Sequence, residues 1–410
     1  MISLRFSLTL LLSIVFFQHY LHAQGVTEIG DISVPCKEDP DCINRLHPGI
    51  PMLTKVNPGD TIIFNCRNAA DINLDPEASK IEREDDPQIG WIHPLTGPVH
   101  IIGAVAGDVL KVNILDIEPG QWAWTSTSTS GIVSDKIEGF LYIKWKLGTE
   151  YATSEDLPGI KLPNRSFPGV ISVLPGAEQH AVMLEREKEL YEAGGAVLPP
   201  HAKHAVPEEI CGEGGTYADE CLRTIPPREH GGNLDIRYLQ AGSSIYLPCY
   251  LNGCGLSIGD THYIQGDGEV SGTAVEMDAR VTVTTEILKN GPDLSRGPHY
   301  EGPAQLLDIP SERFYATTGF PIKEEDFVPA NLEYLASEKI RNLSNLSEDI
   351  SLAARNALLA MIEYISTTYG YTKLQAYVIT SVAVDLRIGQ LVDKPNVGVT
   401  AILPLDIFED

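Results

Sequence analysis

Between Ser257 and Met277 the chain reads Ser-Ile-Gly-Asp-Thr-His-Tyr-Ile-Gln-Gly-Asp-Gly-Glu-Val-Ser-Gly-Thr-Ala-Val-Glu-Met. Asp260, His262, Gln265, Asp267, Glu269 and Glu276 fall within it, between apolar flanks. Carboxylates, an imidazole and a carboxamide at this density are costly in an ordinary core. They suit proton transfer or cation binding. In a strand Asp260 and His262 point the same way, because side chains alternate with period two. Gly266 and Gly268 let the Gln-Gly-Asp-Gly-Glu turn bend sharply, since glycine tolerates a positive φ. A solvated acidic loop is the competing reading, and the apolar strands on both sides argue against it. The stretch reads as a site.

Other segments carry related chemistry. His93 stands in His-Pro-Leu-Thr-Gly-Pro-Val at 93–99, and Phe-Pro-Gly-Val-Ile-Ser-Val-Leu-Pro-Gly runs over 167–176. His230, Asn233 and Asp235 lie in Arg-Thr-Ile-Pro-Pro-Arg-Glu-His-Gly-Gly-Asn-Leu-Asp-Ile at 223–236. Ser-Val-Ala-Val-Asp-Leu-Arg-Ile-Gly-Gln-Leu-Val-Asp follows at 381–393. These segments and the 257–277 stretch, in this order, resemble the acetamidase/formamidase family over roughly residues 47–408. That combination is far more specific than any one motif. The resemblance implies hydrolysis of short aliphatic amides and a β-sandwich or barrel core with a smaller α/β element.

Amide hydrolysis needs a nucleophile or activated water, a group for the oxyanion and an acid for the leaving amine. Gly242-Ser243-Ser244 offers a serine design, but it sits at a strand-start turn without Gly-rich surroundings. A cysteine design needs a reactive thiol, and six of the seven cysteines are candidate disulfide partners. The remaining design uses carboxylates and a metal. His93, Asp235, Asp260 and His262 are the candidate ligands of a divalent ion. Zinc suits imidazole plus carboxylate, and calcium an oxygen-rich subset. Asn233 and Asp235 share one strand face in this reading, as do Asp260 and His262. Glu269 is the expected acid/base group and Asp267 its orienting partner, with a metal-free variant in which either is the general base. His230, Asn233 and Gln265 are the expected substrate contacts. The alternative to an enzyme is a secreted β-sandwich that binds a small ligand or carbohydrate around a structural ion.

Charge narrows the partners. The 410 residues hold 56 Asp+Glu against 30 Lys+Arg, a formal net charge of −26. With no basic stripe to follow phosphates, nucleic acid is excluded. A small neutral amide is indifferent to such a field. A homo-oligomer is expected.

The amino terminus reads as a signal peptide over residues 1–23, with Arg5 before an apolar run at 10–17 and a cleavage-like Leu21-His22-Ala23. The mature chain is therefore expected in a secreted or periplasmic compartment, with no membrane attachment after cleavage. Cysteine usage agrees with export. Cys36–Cys42 and Cys211–Cys221 are expected to bridge, and Cys66 to stay a buried thiol. Cys249 and Cys254 flank Asn252-Gly253, a hairpin signal that places them diagonally unless the turn is wider.

Short strands between turn signals dominate from Met52 onward. Pro-Gly-Asp at 58–60, Ala-Gly-Asp at 106–108 and Ala-Gly-Ser at 241–243 repeat one turn device. Trp122–Ser130 is aromatic, then rich in Ser and Thr, and receives no role. The fold class is mainly β with an α/β C-terminal part. An N-terminal arm is expected at 24–50, a β-rich domain at 51–177, a helix and irregular loop at 178–222, a β-rich catalytic segment at 223–290 and an α/β region at 291–410. In the last, Ser347 or Asp349 caps a helix stopped by Gly370, and Thr372 caps the next one.

Overall fold

The computed structural model describes residues 25–74, 86–127, 131–137, 139–195, 197–295, 297–323, 328, 341, 343–346, 349–390 and 397–409. The signal-like segment, Ser347 and residues 128–130 and 391–393 lie outside them. Among the described residues a 15-stranded sheet carries the fold, with a three-stranded sheet in the C-terminal part. The chain is mainly β with C-terminal helices, as expected.

Five strands of the large sheet matter for function. Val109–Ser126, Glu276–Leu288, Cys254–His262, Phe167–Ser172 and Gly231–Asn233 follow one another side by side. Strand Cys254–His262 is buried along its whole length, so the polar Ser257, Asp260, Thr261 and His262 that it carries are held out of water. The three repeated turns all hold glycine at positive φ, with Gly59 at 88°, Gly107 at 94° and Gly242 at 90°. Residues 26–46 do more than overlie the domain. Val26–Ile29 pairs in parallel with Thr61–Cys66, and Cys42–Ile43 pairs with Leu95–Ile101.

The Asn252-Gly253 turn is not a hairpin. Strand Ser244–Pro248 bonds to Val109–Ser126 and His299–Glu301, whereas Cys254–His262 bonds to different strands. The turn carries the chain between non-adjacent positions, so hairpin geometry does not govern Cys249 and Cys254. They are bridged, with Cα atoms 4.6 Å apart. Cys36–Cys42 and Cys211–Cys221 are bridged as expected, and Cys66 is a buried free thiol. Burial pushes that thiol's pKa up, which makes it a packing residue rather than a nucleophile.

Helix Ala177–Glu192 packs His180 and Met183 inward. In the C-terminal part, the Asp349 side chain accepts from Leu352 N to start helix Ile350–Tyr369. Gly370, at φ 77°, ends it. Thr372 and Gln375 then form a capping box for helix Lys373–Ala383. Leu358, Met361, Ile362 and Ile365 face the main core with Tyr377, Val378 and Val382 of the second helix. No described helix is long and apolar enough to cross a membrane.

Candidate active site

The site is laid out along one pleat row. Phe167 pairs with His262, His262 with Glu276, and Glu276 with Trp124. Residues directly opposite on neighbouring strands present side chains to the same face. The Phe167 ring meets the His262 ring edge-on, with centroids 5.0 Å apart. His262 Nε2 lies 3.1 Å from Glu276 Oε2 and 3.5 Å from Asp260 Oδ1. His262 Nδ1 is 4.0 Å from Asp235 Oδ1, and His93 Nε2 is 3.8 Å from Asp260 Oδ2.

Three of the carboxylates stand on strained backbone. Asp235, Asp260 and Glu269 have φ of 47°, 53° and 45°, a region that side-chain-bearing residues seldom adopt. Such outliers persist where the surroundings over-determine them, and they gather at functional sites. The turn at Asp235 also corrects the sequence reading. Strand Gly231–Asn233 has ended before it, so Asn233 and Asp235 do not share a strand face. Gly169 explains how Asp235 still reaches the row. A Cβ there would stand 2.7 Å from both Asp235 Oδ1 and His262 Cε1, so a side chain at 169 would part them. Gly169 O also accepts from Leu234 N and Asp235 N.

The electrostatics are those of charges crowded out of water. Burial raises the Glu269 carboxyl well above its ordinary range, and the neighbouring Asp235 raises it further. Burial pushes Asp235 up to about 7, against the pull of His262. Glu276 is also raised by burial. Burial opposes charge on Asp260 as well, but His93 and His262 outweigh it and hold that carboxylate below its usual value. His262 is pulled up by Glu276 and Asp260 in spite of burial. Burial lowers His93. Asp235 and Glu269 retain partial exposure. For Glu269 that exposure opens into a cavity of about 820 Å³, which His93, Asn233, Asp260 and Glu276 also line.

Several of these groups lack partners. Asp235 Oδ1, Asp260 Oδ1, Glu276 Oε2 and both His262 nitrogens are buried without a hydrogen bond. The close oxygens are within ion-pair range of the ring nitrogens but off their N–H directions. Ligand atoms of Asp260, His262 and Glu276 lie within 4.8 Å of one another, as do those of Asp235, His262 and Glu269. Buried, unpartnered carboxylates converging on an imidazole are a donor set for a divalent cation. The residues present fit such an ion.

The other expected residues divide. Asn233 lines the cavity with its Oδ1 unpartnered. Gln265 donates to Asp235 O at 3.1 Å, so it holds the strained turn. Asp267 is not gathered around His262; its carboxylate accepts from Tyr238 OH at 2.6 Å. His230 is fully buried, with Nδ1 2.8 Å from Ser172 Oγ, and is not among the residues lining the cavity. Burial and Arg228 push its pKa down to about 3, so it stays neutral. Glu276 received no role from sequence. Its only signal was a lone carboxylate between Val275 and Met277, and its pairing with His262 depends on register.

The turn bearing Glu269 is latched from the C-terminal part. Gly266 N donates to Ser381 O at 2.9 Å, and Ser271 N to Ser381 Oγ at 3.1 Å. Ser381 Oγ donates to Thr273 O at 2.8 Å, and Tyr377 OH to Val270 O at 2.6 Å. Asp267 N donates to Asp385 Oδ1 at 3.3 Å, and Asp385 is paired with Arg237. Helix Lys373–Ala383 thereby fixes both ends of the turn.

The profile of the Acetamidase/Formamidase family matches residues 30–410. The chain is 30% identical over 392 residues to the formamidase of Methylophilus methylotrophus, covering 92% of this chain and 91% of that protein. It is 30% identical over 371 residues to the acetamidase of Mycolicibacterium smegmatis, covering 82% and 84%. A gamma lactamase from Delftia acidovorans has a similar structure, with a TM-score of 0.79, 28% identity and 94% of both chains covered. With a carboxylate–imidazole cluster whose Asp260, Glu269 and Glu276 line a cavity and this match along its length, the chain is a hydrolase of amide C–N bonds and belongs to the acetamidase/formamidase family.

Proposed function

We propose that the protein is an exported amidohydrolase that cleaves short aliphatic amides, of the formamide and acetamide kind, to carboxylate and ammonia. The observation that carries this reading is the convergence of two carboxylate pairs, Asp260 with Glu276 and Asp235 with Glu269, on one buried imidazole, His262, whose nitrogens make no hydrogen bond. Asp260, His262 and Glu276 would hold a divalent ion, with Asp235 beside them, and the imidazole among them favours zinc over calcium. When bound, such an ion polarises a carbonyl and makes water more acidic.

The chain's own residues supply the remaining work. Glu269 takes a proton from the attacking water and returns it to the leaving nitrogen. Asn233 Oδ1 accepts from the substrate amide N–H and orients it. Gln265 keeps Asp235 in its strained turn. A neutral amide enters against no long-range repulsion, despite the net charge of −26. Export follows from the signal-like first 23 residues and agrees with three disulfides. The working form is a homo-oligomer.

Ammonia release from formamide, acetamide and propionamide, with and without a chelator, tests the reaction. Turnover that the chelator abolishes and zinc restores is the expected result; no ammonia from any amide would overturn it. Mass spectrometry of the native protein should find a terminus near Gln24. Light scattering should give a multiple of the chain mass.

A further inference from the structure

Trp124 belongs to the aromatic stretch that sequence left without a role, and it stands next to Glu276 on the pleat row. Its ring is held from two directions. Nε1 donates to Asn68 Oδ1 at 3.3 Å, and Tyr142 stacks on it with centroids 5.9 Å apart and planes within 12°. The indole is thus a pre-set apolar surface beside the reacting groups, with little rotamer freedom left to lose on binding. It lines the same cavity as Asp260, Glu269 and Glu276, together with Ile92, Ile137 and Ile225. Formamide and acetamide carry at most one carbon beyond the carbonyl and would fill little of this cavity. A cavity of about 820 Å³ lies within the roughly 300–1,000 Å³ that holds far larger ligands.

We propose that Trp124, with Ile92, Ile137 and Ile225, forms an acyl-binding wall, and that the preferred substrates are primary amides with an apolar acyl group of several carbons or an aromatic ring. This rests on the amide-hydrolysis reading and extends its substrate range past the short amides. The wall sets specificity, and the chemistry stays with the carboxylate–imidazole cluster. Water adds to the carbonyl, the C–N bond breaks, and the nitrogen leaves as ammonia.

The test is kcat/KM for acetamide, butyramide and benzamide with the purified full chain. An added methylene in an apolar pocket is typically worth about 10–200-fold, so butyramide should exceed acetamide by at least ~10-fold. Trp124→Ala should pull that ratio towards one by losing more on butyramide and benzamide than on acetamide. Ile225→Ala, outside the strands, should move it in the same direction and serves if the tryptophan variant does not fold. Acetamide turned over as well as or better than both larger amides overturns the inference while leaving amide hydrolysis intact. A ratio that survives both substitutions also overturns it. Absence of hydrolysis of any amide removes the reading on which it rests, and the inference with it.

Discussion

His262 Nε2 and Glu276 Oε2 face each other across two paired strands at 3.1 Å, and neither atom makes a hydrogen bond. An isolated buried ion pair would align donor and acceptor, because the penalty for removing two charges from water is offset only by good geometry. Here the atoms approach without aligning, and Asp260 and Asp235 crowd the same ring. Such a cluster is arranged for something placed among its members.

That arrangement predicts metal content. His262→Ala and Glu276→Gln should each lose the divalent ion after dialysis, as read by elemental analysis of the purified protein. His93 meets Asp260 through Nε2 and Thr224 Oγ1 through Nδ1, so His93→Ala should retain the ion but bind it roughly 10–100-fold more weakly in zinc titrations, the usual effect of removing a group that supports a ligand. Wild-type metal content in His262→Ala would remove this assignment.

Glu269→Gln keeps size and much of the hydrogen bonding while removing the titrating proton. The expected fall in kcat is about 10²–10⁴-fold, with folding preserved because a crowded carboxylate is gone. Steady-state ammonia release checks it, and near wild-type turnover would assign the acid/base role elsewhere.

Ser381→Ala cuts two of the bonds that hold the Glu269 turn. The stability cost should be only about 1–3 kcal/mol. Misplacing a reacting group is costly in rate as well, so kcat should fall roughly 10–100-fold while KM changes little. Ser381→Thr, which keeps the hydroxyl, should recover much of the loss. A lowered melting temperature with kcat unchanged at temperatures where the variant is folded, or no recovery of kcat by threonine, would reduce Ser381 to a structural residue.

Local signals were legible and non-local ones were not. Asp349, Gly370 and Thr372 cap their helices as read, because capping is decided by residues within four positions of one another. The density of ionisable groups between apolar flanks located the cluster around His262 for the same reason. Glu276 joins His262 through strand register, which period-two alternation within one strand does not reveal. Asp235 left the expected face because its φ of 47° breaks that alternation. Asp267 and Glu269 flank one glycine, yet one turns to Tyr238 and the other into the cavity.

A pH effect on stability is expected away from the site. His47 Nδ1 accepts from Gly49 N at 3.0 Å, which requires that nitrogen to be unprotonated. Its ring stacks on Tyr217 and meets His180 edge-on. Burial, aided by His180, pushes His47 down to about 4 from an ordinary 6.5, although exposed Glu220 lies 3.9 Å from Nε2. The folded state favours the neutral form, so this contribution is complete above pH 6.5 and is lost as pH falls towards about 4. Denaturation midpoints across that range should decline in the wild type and decline less in His47→Gln.

The latch also has a consequence for timing. Glu269 and its carboxylate neighbours leave the ribosome more than a hundred residues before Ser381 and Asp385. A nascent chain that has already made its strands would hold the ingredients of a catalyst with its principal turn untethered. Competence would then arrive in the last moments of synthesis, and a prematurely terminated product would be inert towards amides without any inhibitor to silence it.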